Sequence, residues 1–116
     1  MRFGTEHVPG QEIYTEIINH CGMTIETIRN EISQVDRQII SIIGRRQQLA
    51  AKLAVIKQRD GLPIRDEKRR KEVLEEIFNL AVEQQIDPVY VQKIFELLMD
   101  MSEQRQRGCS GEGNLP

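Results

Sequence analysis

The chain has no tryptophan, and its 116 residues include only three phenylalanines and two tyrosines. Aromatic platforms for stacked bases are therefore missing. With 16 Lys+Arg against 18 Asp+Glu, there is no broad basic face for a phosphate backbone either. Nucleic acid is excluded as a partner. Cys21, Cys109, His7 and His20 all sit in the terminal segments. None has metal-ligand spacing, and two such distant cysteines do not suggest a disulfide framework. No apolar run approaches the roughly 18 residues of a membrane span, and the N-terminus lacks the apolar core of a signal peptide. These absences lead us to expect a cytoplasmic protein of one domain, with no membrane contact.

What the chain does have is a long helical seam. Apolar residues step in threes and fours through Ile25, Ile28, Ile32, Val35, Ile39 and Ile42, and the series resumes at Leu49, Leu53 and Ile56. At the position between, where a leucine or isoleucine belongs, stands Arg46. A buried guanidinium needs an anion. That anion is either a carboxylate of a neighbouring helix, setting register, or a bound ligand. Lys57, 11 residues further on, returns to nearly the same face about 16 Å along the axis.

The spacing predicts three helices. The first runs from Thr24, a capping residue, to about Arg59, some 36 residues or roughly 54 Å. Gly44 interrupts it at a cost of about 1 kcal/mol relative to alanine, and we read it as permitting close packing rather than ending the helix. Asp60-Gly61 and Pro63 stop it. A second helix spans Asp66 to about Gln85, with Val73, Leu74, Ile77, Phe78 and Ala81 as its apolar stripe. Asp87-Pro88 opens a third, which runs to about Arg107 with Val91, Ile94, Phe95, Leu98 and Met101 inward and Gly108 as its stop. Residues 1–22 read as an extension with at most a short helical stretch at Glu12–Ile18, or translation starts at Met23; residues 108–116 read as a disordered tail. The fold class is all-α. One long and two shorter helices cannot cover each other fully in a small chain, so an intertwined homodimeric bundle is expected.

Polar residues interrupt or flank the stripes: Arg29, Arg46 and Lys57 on the first helix, Asp66 and Arg69 at the start of the second, Ser102 and Gln106 late in the third. Each has an ordinary explanation. Asp66 is a natural N-cap, Arg69 belongs to the charged run Glu67-Lys68-Arg69-Arg70-Lys71, and Ser102 and Gln106 would sit in a fraying last turn. Their order and spacing as a set carry more.

In Ile28-Arg29-Asn30-Glu31-Ile32, Arg45-Arg46-Gln47-Gln48-Leu49-Ala50, Ile56-Lys57, Pro63-Ile64-Arg65-Asp66 with Arg69, and Ser102 with Gln106, the chain resembles the all-helical (AroQ-class) chorismate mutases over residues 24–107. Without gaps, the active-site pattern of that family falls on Arg29, Arg46, Lys57, Asp66, Arg69, Ser102 and Gln106. The resemblance implies the rearrangement of chorismate to prephenate, on the route to phenylalanine and tyrosine. This is a [3,3] pericyclic reaction that uses no nucleophile, proton relay, metal or cofactor. It implies that Arg46 holds one substrate carboxylate and Arg29 the other. Lys57 and Gln106 would donate to the ether oxygen, Asp66 would lie near the ring hydroxyl, and Arg69 and Ser102 would support the carboxylate and ring side. Arg29 and Lys57 are 28 residues apart, roughly 42 Å along one helix and far beyond the span of a small dicarboxylate. If both serve one site, Arg29 comes from the second subunit of a dimer.

The chain departs from the family pattern at Arg70, where a glutamate that helps bind the substrate hydroxyl is usual. We therefore leave Arg70 out of the expected site. Gly44-Arg45-Arg46 resembles the isochorismate-pyruvate lyases of the same fold, whereas Asp66 and Ser102 match the mutases. A third possibility is a non-catalytic dimerisation module whose Arg46 and Lys57 pair with glutamates. With no further catalytic or regulatory segment after Gln106, a free-standing enzyme is expected. Neutral Gln106 implies activity that does not depend on low pH.

Overall fold

The computed structural model describes residues 23–109, and over that range the chain is three helices without a strand: α1 (Ile25–Asp60), α2 (Glu67–Glu83) and α3 (Pro88–Cys109). Cys21, His7, His20, the Glu12–Ile18 stretch and the end of the predicted tail lie outside the described residues. The described residues divide into two compact units that meet between Ile39 and Ile40 of the sequence.

Each helix starts where a side chain can satisfy its free N–H groups. Thr24 Oγ1 accepts from the Thr27 amide at 3.1 Å, and Thr27 Oγ1 accepts from the Thr24 amide at 3.1 Å. This is a reciprocal capping box with threonine in the place usual for glutamate. Asp66 Oδ1 accepts from the Arg69 amide at 3.0 Å. Asp87 Oδ1 accepts from Val89 N at 2.9 Å, with Pro88 at the first helical position, where its missing N–H costs nothing.

The first two helices end in the same motif with different residues. After α1, Gly61 takes φ +68, and the amides of Gly61 and Leu62 return to the carbonyls of Gln58 and Lys57. After α2, Gln85 takes φ 61, and the amides of Gln85 and Ile86 return to Val82 and Ala81. Both are Schellman closures, which need a left-handed residue. Glycine adopts that conformation freely, whereas glutamine adopts it with its Cβ crowded against the following carbonyl.

One boundary differs from expectation. Helix α3 continues through Gly108 to Cys109, because a single glycine near a helix end weakens the last turn without forbidding it. As expected, Gly44 does not end α1, but nothing lies within 4 Å of where its Cβ would be, so it serves no close approach among the described residues.

In the unit from Ile40 onward, α2 packs against α3. Val73, Leu74 and Ile77 of α2 and Val91, Phe95 and Leu98 of α3 are half-buried, and Gln92 Nε2 donates to the Leu74 carbonyl at 3.0 Å. Ala50, Ala54, Ala81 and Met99 are the buried apolar residues. Ile94 and Met101, expected inward, are exposed in the single chain, as are Phe78 of the α2 stripe and Leu49, Leu53 and Ile56 of the α1 seam. In the N-terminal unit Ile25, Ile32, Val35 and Ile39 are exposed too. The described chain offers these stripes no cover on their remaining faces.

Candidate active site

A cavity of about 310 Å³ opens within the unit from Ile40 onward, a volume in the range of small-ligand sites. Arg46 and Lys57 reach it from α1, Asp66, Arg69 and Arg70 from the start of α2, and Ser102, Glu103 and Gln106 from α3. Leu49, Ala50, Leu53, Ile64, Val73 and Met99 supply the apolar wall. Helical periodicity explains the grouping. Arg46, Ala50, Leu53 and Lys57 follow one another at three- and four-residue steps, as do Met99, Ser102 or Glu103, and Gln106.

Six of the residues singled out in the sequence are thus brought together: Arg46, Lys57, Asp66, Arg69, Ser102 and Gln106. Arg29 is not among the lining residues. It belongs to the N-terminal unit and is exposed.

Arg46 is half-buried, and its Nη1 donates to the Leu98 carbonyl at 3.2 Å. Burial lowers its pKa from the ordinary value, yet a guanidinium remains protonated throughout the working pH range. No carboxylate among the described residues pairs with it, contrary to the register-setting reading within this chain. Lys57 is similar. Its Nζ donates to the Ile64 carbonyl at 2.6 Å, and no carboxylate among the described residues pairs with it. The turn after α1 therefore holds the ammonium at the cavity wall. Arg69 is more exposed and forms a 3.6 Å pair with Glu72.

Gln106 is not in a fraying turn: it is only 3% exposed. Its Nε2 donates to Ser102 Oγ at 3.0 Å, while Oε1 is buried with no hydrogen-bond partner. An orphaned amide oxygen in a cavity wall costs about 1–3 kcal/mol. A half-turn of the amide passes that cost from oxygen to nitrogen: Oε1 then accepts from the Ser102 hydroxyl, and Nε2 is left to donate to whatever occupies the cavity.

Two polar lining residues stood outside the expected site: Glu103, which was not singled out, and Arg70, which was left out as a departure from the family pattern. Glu103 is 8% exposed and accepts from Arg70 Nη1 at 2.7 Å and from Arg65 Nη1 at 3.3 Å, with Arg107 Nη1 at 3.7 Å. Arg70 also pairs with Asp100 at 3.3 Å. A signal was available: Glu103 lies four residues after Met99 and three before Gln106, and Arg70 lies four after Asp66 and three before Val73. Among the described residues no group of three or more His, Cys, Asp or Glu could hold a metal ion, and no helix is long and apolar enough to cross a membrane.

Residues 28–107 match the model of the family described as chorismate mutase type II. The chain belongs to that family. A chorismate mutase of Methanocaldococcus jannaschii is 34% identical over 80 residues, covering 69% of this chain and 81% of that protein. A bifunctional chorismate mutase/prephenate dehydratase of Buchnera aphidicola from Schizaphis graminum is 30% identical over 76 residues, covering 66% of this chain. Its counterpart in Escherichia coli K12 is 27% identical over 75 residues. The match spans only 20% and 19% of these two bifunctional relatives. The matched segment contains every one of the cavity's polar lining residues, all of α2, and α3 except its last two residues.

Proposed function

We propose that this chain is a chorismate mutase and that the rearrangement to prephenate takes place in this cavity. The observation that carries the proposal is its charge. Arg46, Lys57, Arg69 and Arg70 contribute four positive charges against the two negative charges of Asp66 and Glu103. The surplus matches a dianionic substrate, and the two cations without a carboxylate partner among the described residues, Arg46 and Lys57, both come from α1.

The reaction makes modest demands on the protein. Chorismate must be held in its folded chair, which converts lost rotational freedom into rate. Positive charge must stand where the ether oxygen becomes negative as its C–O bond breaks. Arg46 grips one carboxylate through its planar fork. Lys57 exchanges the Ile64 carbonyl for the ether oxygen, and Gln106, turned by Ser102, donates to the same atom through Nε2. Arg69 and Ser102 support the ring and carboxylate side, and Asp66 bounds the site at the start of α2. Membership in the chorismate mutase type II family and the Methanocaldococcus jannaschii relative support this reading.

The second substrate carboxylate falls to Arg29 of another copy. The exposed stripe of α1, from Ile32 through Leu53, supports a homodimer in which one copy's N-terminal unit completes the partner's site. Chorismate consumption by the purified protein tests the activity. Mixing Arg29→Ala chains with Lys57→Ala chains tests the sharing. Each variant alone is nearly inactive, and heterodimers regain activity through hybrid sites. Heterodimers without any regain would refute the shared site.

A further inference from the structure

We infer that Glu103, held in place by Arg70, accepts the hydrogen bond of the substrate's ring hydroxyl; this rests on the mutase reading above. A hydroxyl taken from water into a cavity must find a partner. Here the wall is rich in donors and poor in acceptors. Of its two carboxylates, Asp66 is exposed and already uses Oδ1 to cap α2. Glu103 is buried in the wall, on the same α3 face as Gln106.

Glu103 has the capacity for the role. A carboxylate offers about four acceptor sites. Arg70 occupies one through Oε2 and Arg65 one through Oε1, while Arg107 at 3.7 Å is beyond hydrogen-bond range. The guanidiniums leave it room for one more donor. Arg70 is a positioning residue: with Nη1 on Glu103 and Nη2 on Asp100, it spans two successive turns of α3 and fixes the carboxylate against the cavity. The departure at Arg70 thereby acquires a sense. Where the family resemblance leads one to expect a hydroxyl-binding glutamate on α2, this chain carries its counter-ion, and the acid stands opposite on α3.

The alternative is that Glu103 serves only to tie the start of α2 to α3 through its arginines. Two substrates separate the readings: chorismate, and the analogue in which hydrogen replaces the ring hydroxyl. Kinetics are measured for the wild type and for Glu103→Gln, which keeps the volume and is checked for helicity by circular dichroism. The wild type should favour chorismate over the deoxy analogue by about 10- to 100-fold in kcat/KM, the worth of one hydrogen bond to a charged group. Glu103→Gln should lose most of that preference by slowing on chorismate and changing little on the analogue. Equal losses on both substrates would overturn the inference. If Glu103→Gln does not fold, the wild type alone still decides against it should it fail to distinguish the two substrates. Then Arg70→Glu with Glu103→Arg, which returns the acid to α2, should restore the preference, and a folded double variant without it would also overturn the inference. A wild type that rearranges neither compound would remove the mutase reading itself, a distinct result from turnover without discrimination.

Discussion

Replacing Arg46 by leucine, the residue that the seam pattern expects, should make the protein more stable and nearly inactive. In the chain without ligand, the half-buried guanidinium has one hydrogen bond, to the Leu98 carbonyl at 3.2 Å, and no carboxylate partner among the described residues. Losing that bond costs about 1 kcal/mol. Relief of the desolvated charge and the apolar area of leucine against Ala50 and Leu53 return about 1–2 kcal/mol. The net expectation is a gain of up to about 1 kcal/mol, or an increase of about 4–8 °C in Tm for a domain of this size. Activity responds in the opposite direction. A bidentate grip on a carboxylate contains two charge-assisted bonds of about 1.5–3 kcal/mol each, so kcat/KM should fall about 10²- to 10⁴-fold. Thermal denaturation at fixed protein concentration and a chorismate consumption assay on the same preparation measure both. An Arg46→Leu protein less stable than wild type by more than about 1 kcal/mol, yet still active, would refute the reasoning. Arg46 would then be a structural charge with a partner in the assembled protein.

Three other consequences are open to measurement. Gln85→Gly should stabilise the protein by about 0.5–1 kcal/mol in urea denaturation, because relief of the left-handed strain exceeds the extra freedom glycine gives the unfolded chain. Arg65 holds the Glu67 carboxyl below its ordinary value of 4.5, so the pair adds stability above that pH and loses it as the pH falls through the lowered value. Glu67→Gln should therefore flatten the acid side of the stability profile while leaving an offset near neutral pH, and an unchanged profile would show the pair to be idle. Gln106→Glu should make turnover rise with acidity, since a carboxyl donates to the ether oxygen only when protonated, whereas the wild-type profile stays flat across the same range.

Local chemistry made the helices legible. Thr24, Asp66 and Asp87-Pro88 announce three starts, and Gly61 announces one stop, because capping and left-handed closure depend on few neighbouring atoms. The second stop was hidden, since glutamine at position 85 carries no turn signal and only the closing bonds of Gln85 and Ile86 reveal it. The six residues that meet in the cavity could be named beforehand because helix periodicity and family pattern agree on them. Glu103 could not be named that way, since it looks like an ordinary surface charge, and Arg70 stood out only as a departure from the family pattern, until α2 and α3 are docked and their side chains meet at 2.7 Å. The exposure of Phe78, Ile94 and Met101 in the single chain was not legible for a related reason. Periodicity identifies an apolar face but not whether the same chain covers it.

The most direct test of the account is to follow chorismate with the purified protein and identify what forms. Prephenate, produced by wild type and lost with Lys57→Ala, is the predicted result. No turnover of chorismate, or cleavage of isochorismate to salicylate and pyruvate in its place, would contradict it.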